Sequence, residues 1–235
     1  MLKVFLILLA VILFFGLLAI CIVFSIRSRI RKNRKKGGIH LGFQNDISKA
    51  SNEYEISGIN GERNIDERLR HLLKKDEYIF TNILLPTGNN RTTEIDAVIV
   101  SRKGIFCIEI KTWVGCITGN DKDKYWLQEY GDPSREPKNH NNPVLQNDKH
   151  CGILERILRR NDIYCIVILT IFESGEIESN YTYTFNEFKN FYNELNDSEL
   201  NIEQINAIAN KLIKYIPNSS QMEKHINEVK RDHLN

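Results

Sequence analysis

The chain has 235 residues, 42% of them apolar, with 32 Lys and Arg against 30 Asp and Glu. It can hold one domain of ordinary size plus an appendage, and it contains no internal repeat or low-complexity block. Its five cysteines include no C-x-x-C pair and no Cys pair with a His at ligand spacing, which argues against a zinc finger; they read as reduced, mostly buried thiols.

The appendage comes first. Val4 to Ile26 carries no charge and, at about 1.5 Å per residue, is long enough for a hydrocarbon core of roughly 30 Å. A cleaved signal peptide would have a shorter apolar region, about 7 to 15 residues, ending in a small-residue cleavage site. Here the run ends instead in Arg27, Arg29, Arg31, Lys32, Arg34, Lys35 and Lys36. Against the single Lys3, that asymmetry predicts a single-pass membrane protein with its carboxyl-terminal side in the cytosol. The basic cluster is suited to anionic lipid headgroups. Beyond Lys36, 24 Lys and Arg remain against 30 Asp and Glu, a poor balance for non-specific DNA binding, although carboxylates of a metal site would count towards it.

Residues 1–36 are thus an anchor with its basic cluster, 37–57 read as a linker opened by Gly37-Gly38, 58–216 as the folded domain, and 217–235 as a loose polar tail. The domain opens with Gly61-Glu62 and apolar residues at Ile65, Leu69, Leu72 and Leu73, the spacing of one helical face. Glu62 lies on the side of that stripe. It either favours the helix amino terminus or points at the strands and joins a metal shell.

Tyr78 to Leu85 reads as a strand and Pro86 to Arg91 as a loop. Two runs rich in Val, Ile and Phe follow, Thr93 to Val100 and Ile105 to Lys111, joined by a short polar link ending in Gly104. That is the signature of a β-hairpin. Strand side chains alternate, so Glu94, Asp96, Val98 and Val100 share a face, as do Ile105, Cys107, Glu109 and Lys111. With Val100 opposite Ile105, Asp96 faces Glu109 and Glu94 faces Lys111. A bulge at Gly104 would shift that register. Facing carboxylates among apolar neighbours are costly, and a divalent cation would remove the penalty. Oxygen ligands suit Mg²⁺ and Mn²⁺, with Lys111 placed beside a bound phosphate or water. The other reading of the alternating charges is a plain solvated strand face.

Thr112 to Gly119 forms a further short strand, Trp126 follows a charged turn, and Gly131 to Asn142 reads as a mobile loop. Asn142 as N-cap and Pro143 at the first position start a helix through Ile153, Leu154, Ile157 and Leu158. Gln146, in its second turn, is either an exposed helix residue or reaches a phosphate or water near the helix amino terminus. Tyr164 to Leu169 is a strand covered on both faces. Thr184 and Glu187 form a capping box before a helix with Phe188, Phe191 and Leu195, and Asn201 to Ile213 is the last amphipathic helix. The order predicts an α/β sandwich around one mixed sheet.

Gly61-Glu62, Glu94-Ile95-Asp96, Gly104 to Lys111, Gly115, Gly119, Trp126 and Asn142-Pro143 with Gln146 together resemble the nuclease-related domain, NERD, over roughly Ser57 to Thr170. That family is assigned to the PD-(D/E)xK nuclease superfamily, which implies a restriction-endonuclease-like mixed sheet flanked by helices. Carried over, Asp96 and Glu109 resemble the metal-binding acids and Lys111 the lysine that positions or activates water. Glu62 matches the first-helix acid and Gln146 the later helix glutamine. Ile95 stands where the superfamily name has proline.

The leading expectation is a membrane-anchored cytosolic nuclease acting on DNA with Mg²⁺ or Mn²⁺ held by Asp96, Glu109 and the Ile110 carbonyl. The alternative is a catalytically silent module on the same fold, tethered at the membrane to recruit nucleic acid or a protein partner. A purely structural cytosolic part is the third reading, and it leaves the charged hairpin unexplained.

Overall fold

The computed structural model describes residues 37–45, 53–88 and 90–234. The expected span and its basic cluster lie outside these residues. Among the described residues, no helix is long and apolar enough to cross a membrane.

In chain order the elements are β1 (Ile39–Gly42), α1 (Glu53–Leu72), β2 (Tyr78–Gly88), β3 (Arg91–Ser101), β4 (Gly104–Lys111), β5 (Cys116–Asn120), β6 (Tyr125–Glu129) and β7 (Lys138–Asn141). They continue with α2 (Pro143–Leu158), β8 (Ile163–Leu169), β9 (Ser174–Glu178), β10 (Thr182–Thr184), α3 (Phe185–Glu194), α4 (Ile202–Leu212) and α5 (Ser219–Leu234). The strands form two mixed sheets rather than the single one expected. Six strands run in the order β1-β2-β3-β4-β8-β10 and four in the order β7-β6-β5-β9.

The larger sheet is covered on both faces, as a sheet with buried central strands must be. Val98, Val100, Ile105 and Cys107 pack with Cys151, Leu154 and Leu158 of α2 and with Ile205, Ile208 and Leu212 of α4. Ala97, Ile99, Phe106, Ile108 and Ile110 face the other way, onto Ile65 and Leu69 of α1 and Phe188 and Tyr192 of α3. The expected capping box of Thr184 with Glu187 forms, and Asn201 forms a second one with Gln204.

The β3–β4 hairpin has the predicted symmetric register, with Val100 opposite Ile105 and Ser101 opposite Gly104, and no bulge at Gly104. Gly104 has φ +132°, and a Cβ there would lie 2.9 Å from the Tyr164 ring, so glycine is required. The ladder continues to Ala97 opposite Ile108 and stops. The expected pairings of Asp96 with Glu109 and Glu94 with Lys111 do not occur. Glu94 pairs with Leu84, and β4 from Glu109 to Lys111 runs on beside β8, against Val167, Ile168 and Leu169. The apolar alternation also changes phase here. Ile79 and Ile99 lie on the α1 face, whereas Ile83 and Ile95 join the α2 face with Val98. Asn82, opposite this break, has φ +50°, a left-handed conformation that Asn tolerates better than most residues.

Three connecting segments differ from expectation. Ile39–Gly42, inside the expected linker, pairs in parallel with β2. The expected mobile loop contains β7, paired with β6. The expected loose tail is α5, which buries Met222 and His225. Cys151 and Cys165, expected as free thiols, are joined across α2 and β8 with Cα atoms 6.2 Å apart, within bridging distance. Cys107 and Cys116 are free.

Candidate active site

Where β3 and β4 part, Asp96 turns its carboxylate onto the backbone of β4, and its Oδ2 accepts a 2.7 Å hydrogen bond from the Ile110 amide. The side chain thus replaces a partner lost when the ladder opens. Glu109 is 1% exposed. Lys111 Nζ lies 2.5 Å from Glu109 Oε1 and donates to Gln146 Oε1 at 3.3 Å. Three of the predicted residues are therefore in direct contact, with Asp96 held at the same strand end.

Gly61 explains how Glu62 joins them. A Cβ at Gly61 would lie 2.5 Å from Thr112 Oγ1, so only glycine lets α1 approach the residue after Lys111 this closely. The Glu62 carboxyl is close enough to respond to both Lys111 and Glu109.

Gln146 is set by a structural knot. Asn142 caps α2 by accepting from the Val144 amide at 2.8 Å. Its Nδ2 donates to the carbonyls of Asn120, Asp121 and Asp123. Trp126 Nε1 donates to the same Asn120 carbonyl at 2.9 Å, and Gly119 leaves room for the indole, because a Cβ there would lie 2.4 Å from the ring. Asn147 then ties α2 to the sheet through the carbonyls of Cys107 and Ile166. Gly119, Trp126 and Asn142 position the site rather than enter it.

Reasoning from sequence missed His150, Thr93, Asp66 and a site role for Glu94. His150 lies one turn after Gln146 on α2 and is 5% exposed. Its Nε2 is 3.0 Å from Thr93 Oγ1, and its Nδ1 is 3.3 Å from Glu109 Oε2. The i, i+4 spacing of Gln146 and His150 was the available signal. Asp66, one turn after Glu62 and 7% exposed, has an Oδ1 that makes no hydrogen bond.

Glu109, Asp96 and Glu62 act on one lysine, Asp66 and Glu94 lie within reach of Glu62, and the protonation of these acids follows from burial. Burial, and then Glu62, pushes Asp66 up to about 7. Burial, and then Glu62 and Glu109, pushes Glu94 up to about 7. Burial also raises Glu62, and raises Asp96 well above the usual range with further repulsion from Glu109. Glu109 is the exception: burial acts to raise it, but Lys111 and His150 outweigh burial and hold it low. Burial acts to lower Lys111, but Glu109, Asp96 and Glu62 keep its ammonium charged. One ionised acid beside several reluctant ones is an arrangement that an added cation would relieve.

Among the described residues, no three His, Cys, Asp or Glu side chains form a cage for a metal ion by themselves. The donors still fit a hard divalent ion that completes its shell with water and phosphate. Glu109 Oε2 is buried without a hydrogen bond, and Asp96 lies within its electrostatic reach.

Residues 57–172 match the family model described as nuclease-related domain, NERD. That segment contains Glu62, Asp96, Glu109, Lys111 and Gln146, together with Thr93 and His150. A curated protein of Bacillus anthracis, itself uncharacterized, is 30% identical over 100 residues, which cover 43% of this chain. The chain spans about half the length of that relative, 46% of it. No solved structure matches. Through residues 57–172 the chain belongs to the nuclease-related domain family.

Proposed function

We propose that this domain is a divalent-metal-dependent phosphodiesterase acting on nucleic acid, DNA first, and that residues 1–36 anchor it in a membrane with the domain on the cytosolic side. The observation that carries the reading is the contact chain Glu109–Lys111–Gln146, built on a buried carboxylate whose second oxygen makes no hydrogen bond. Mg²⁺ or Mn²⁺ would be held by Asp96, Glu109 and the Ile110 carbonyl. When bound, such an ion supplies a Lewis acid for the phosphate and lowers the pKa of its water.

The remaining work falls to the chain itself. The Lys111 ammonium, kept charged by the surrounding acids, offers fixed positive charge where negative charge develops on the phosphate. Gln146 holds that ammonium from α2, close to a helix amino terminus that favours anions. Glu62 approaches from α1 on the other face of the sheet, close enough for its charge and that of Lys111 to act on each other.

A second reading rests on charge. The 24 basic residues against 30 acidic ones beyond Lys36 favour a silent module that recruits nucleic acid or a protein partner at the membrane. The deciding experiment incubates the full chain in detergent with linear, nicked and single-stranded DNA and with RNA, in Mn²⁺, Mg²⁺ or EDTA. Metal-dependent cutting that is lost in Glu109→Ala and in Lys111→Ala is the expected result. Cutting retained by both variants refutes the site. A wild type that neither cuts nor gains melting temperature with metal supports the silent module.

A further inference from the structure

The geometry points to His150 as a direct ligand of the metal ion at Glu109, making this a nitrogen-containing site that prefers Mn²⁺ over Mg²⁺. The inference rests on the metal-dependent reading above and extends it to a residue to which the resemblance assigns no role.

Glu109 Oε2 and His150 Nδ1 are both buried, and neither makes a hydrogen bond. They lie 3.3 Å apart, at ion-pair distance but with no hydrogen bond joining them. Two polar atoms that make no hydrogen bond, side by side in the interior, are rarely left so unless something else satisfies both. Their separation suits two neighbouring ligands of one ion. Bond lengths of about 2.1 Å at right angles put adjacent donors about 3 Å apart.

The outer end of the imidazole supports this. His150 Nε2 is 3.0 Å from Thr93 Oγ1 on β3. A metal-bound histidine typically donates its other ring nitrogen to such an acceptor, which fixes the tautomer and aims the free lone pair at the ion. Asn147, one turn of α2 away, is bonded to Cys107 and Ile166 carbonyls, so the backbone carrying His150 is pinned to the sheet. The other oxygen of Glu109 is taken by Lys111, which leaves Oε2 as the oxygen available to the ion. Imidazole nitrogen suits first-row transition ions, whereas Mg²⁺ prefers a shell of oxygen.

The test measures binding without turnover. Full-length protein in detergent is titrated with MnCl₂ or MgCl₂, each alone, and the Mn²⁺ form is examined by electron spin-echo spectroscopy for coupling to a bound nitrogen. The expected result is nitrogen coupling in the wild type, a Kd for Mn²⁺ about tenfold or more below that for Mg²⁺, and loss of both features in His150→Gln. Melting of His150→Gln and His150→Asn in EDTA establishes that the variants are folded, and the wild-type spectrum needs no variant. Mn²⁺ binding that requires Glu109, shows no nitrogen coupling and keeps its preference in His150→Gln overturns the ligand role and leaves the metal site intact. A wild type that binds neither ion overturns both.

Discussion

Replacing Asp66 with Asn should stabilise the protein at alkaline pH, with an effect that is less favourable at acidic pH. Asp66 is 7% exposed, its Oδ1 makes no hydrogen bond, and burial followed by Glu62 raises its pKa from 3.8 to about 7. The folded-state value lies above the unfolded one, so the native protein keeps a proton that the unfolded chain releases. The stability from that proton is fully present below about pH 4, falls as pH rises towards 7, and is gone above it. A shift of about three units at 1.36 kcal/mol each amounts to about 4 kcal/mol lost by pH 8, of which about 2 kcal/mol has gone by pH 5.5. Asn keeps the shape without the charge, and its buried amide costs about 1–3 kcal/mol for whatever hydrogen bonds it cannot make, at either pH. Urea unfolding in EDTA at both pH values cancels that constant. Relative to wild type, Asp66→Asn should gain about 2 kcal/mol more at pH 8 than at pH 5.5. Equal differences at the two values would show that Asp66 is ionised in the fold at neutral pH and would refute the account of the acidic cluster.

Lys111→Met should be destabilising by about 3–5 kcal/mol at pH 8 in EDTA, because it leaves Glu109 buried without its main cation. Adding Glu109→Gln should restore most of the loss, and a urea double-mutant cycle measures that recovery. Asn142→Ala removes the α2 cap and three carbonyl contacts, for a loss of about 2 kcal/mol. Hydrogen exchange should then quicken at Asn120 to Lys124 and in the first turn of α2, with the six-stranded sheet unaffected.

Much of the site was legible because its pieces are local. The Ser101–Gly104 link and the alternation around it specify the hairpin register, and the structure keeps that register as far as Ala97 and Ile108. Helix starts were equally readable, since an N-cap depends on a few neighbouring residues: Asn142 and Thr184 cap as read, and Asn201, at the expected start of its helix, caps it as well. Gly61 and Gln146 lie where helix spacing puts them. The α5 helix was readable too, as Met222, Ile226 and Val229 recur at helical spacing, but the charged residues among them suggested a loose tail.

The chain's own pattern determined which residues carry charge at the end of the β3–β4 hairpin and which helices carry Glu62 and Gln146. Tertiary structure alone decided how those groups meet. β4 parts from β3 after Ile108 while β8, more than fifty residues later, stays paired with it as far as Lys111, so Asp96 caps the Ile110 amide instead of facing Glu109 across a ladder. The left-handed turn at Asn82 changes the phase of β2 at the same level, and no alternation rule anticipates a break that needs two strands at once. His150 reaches Glu109 only because α2 crosses β4 at a depth set by Asn147. Strand register and helix capping depend on neighbours within a few residues and can be read along the chain. The contacts that give the acids their charges depend on burial between elements far apart in sequence, and only the folded molecule supplies it.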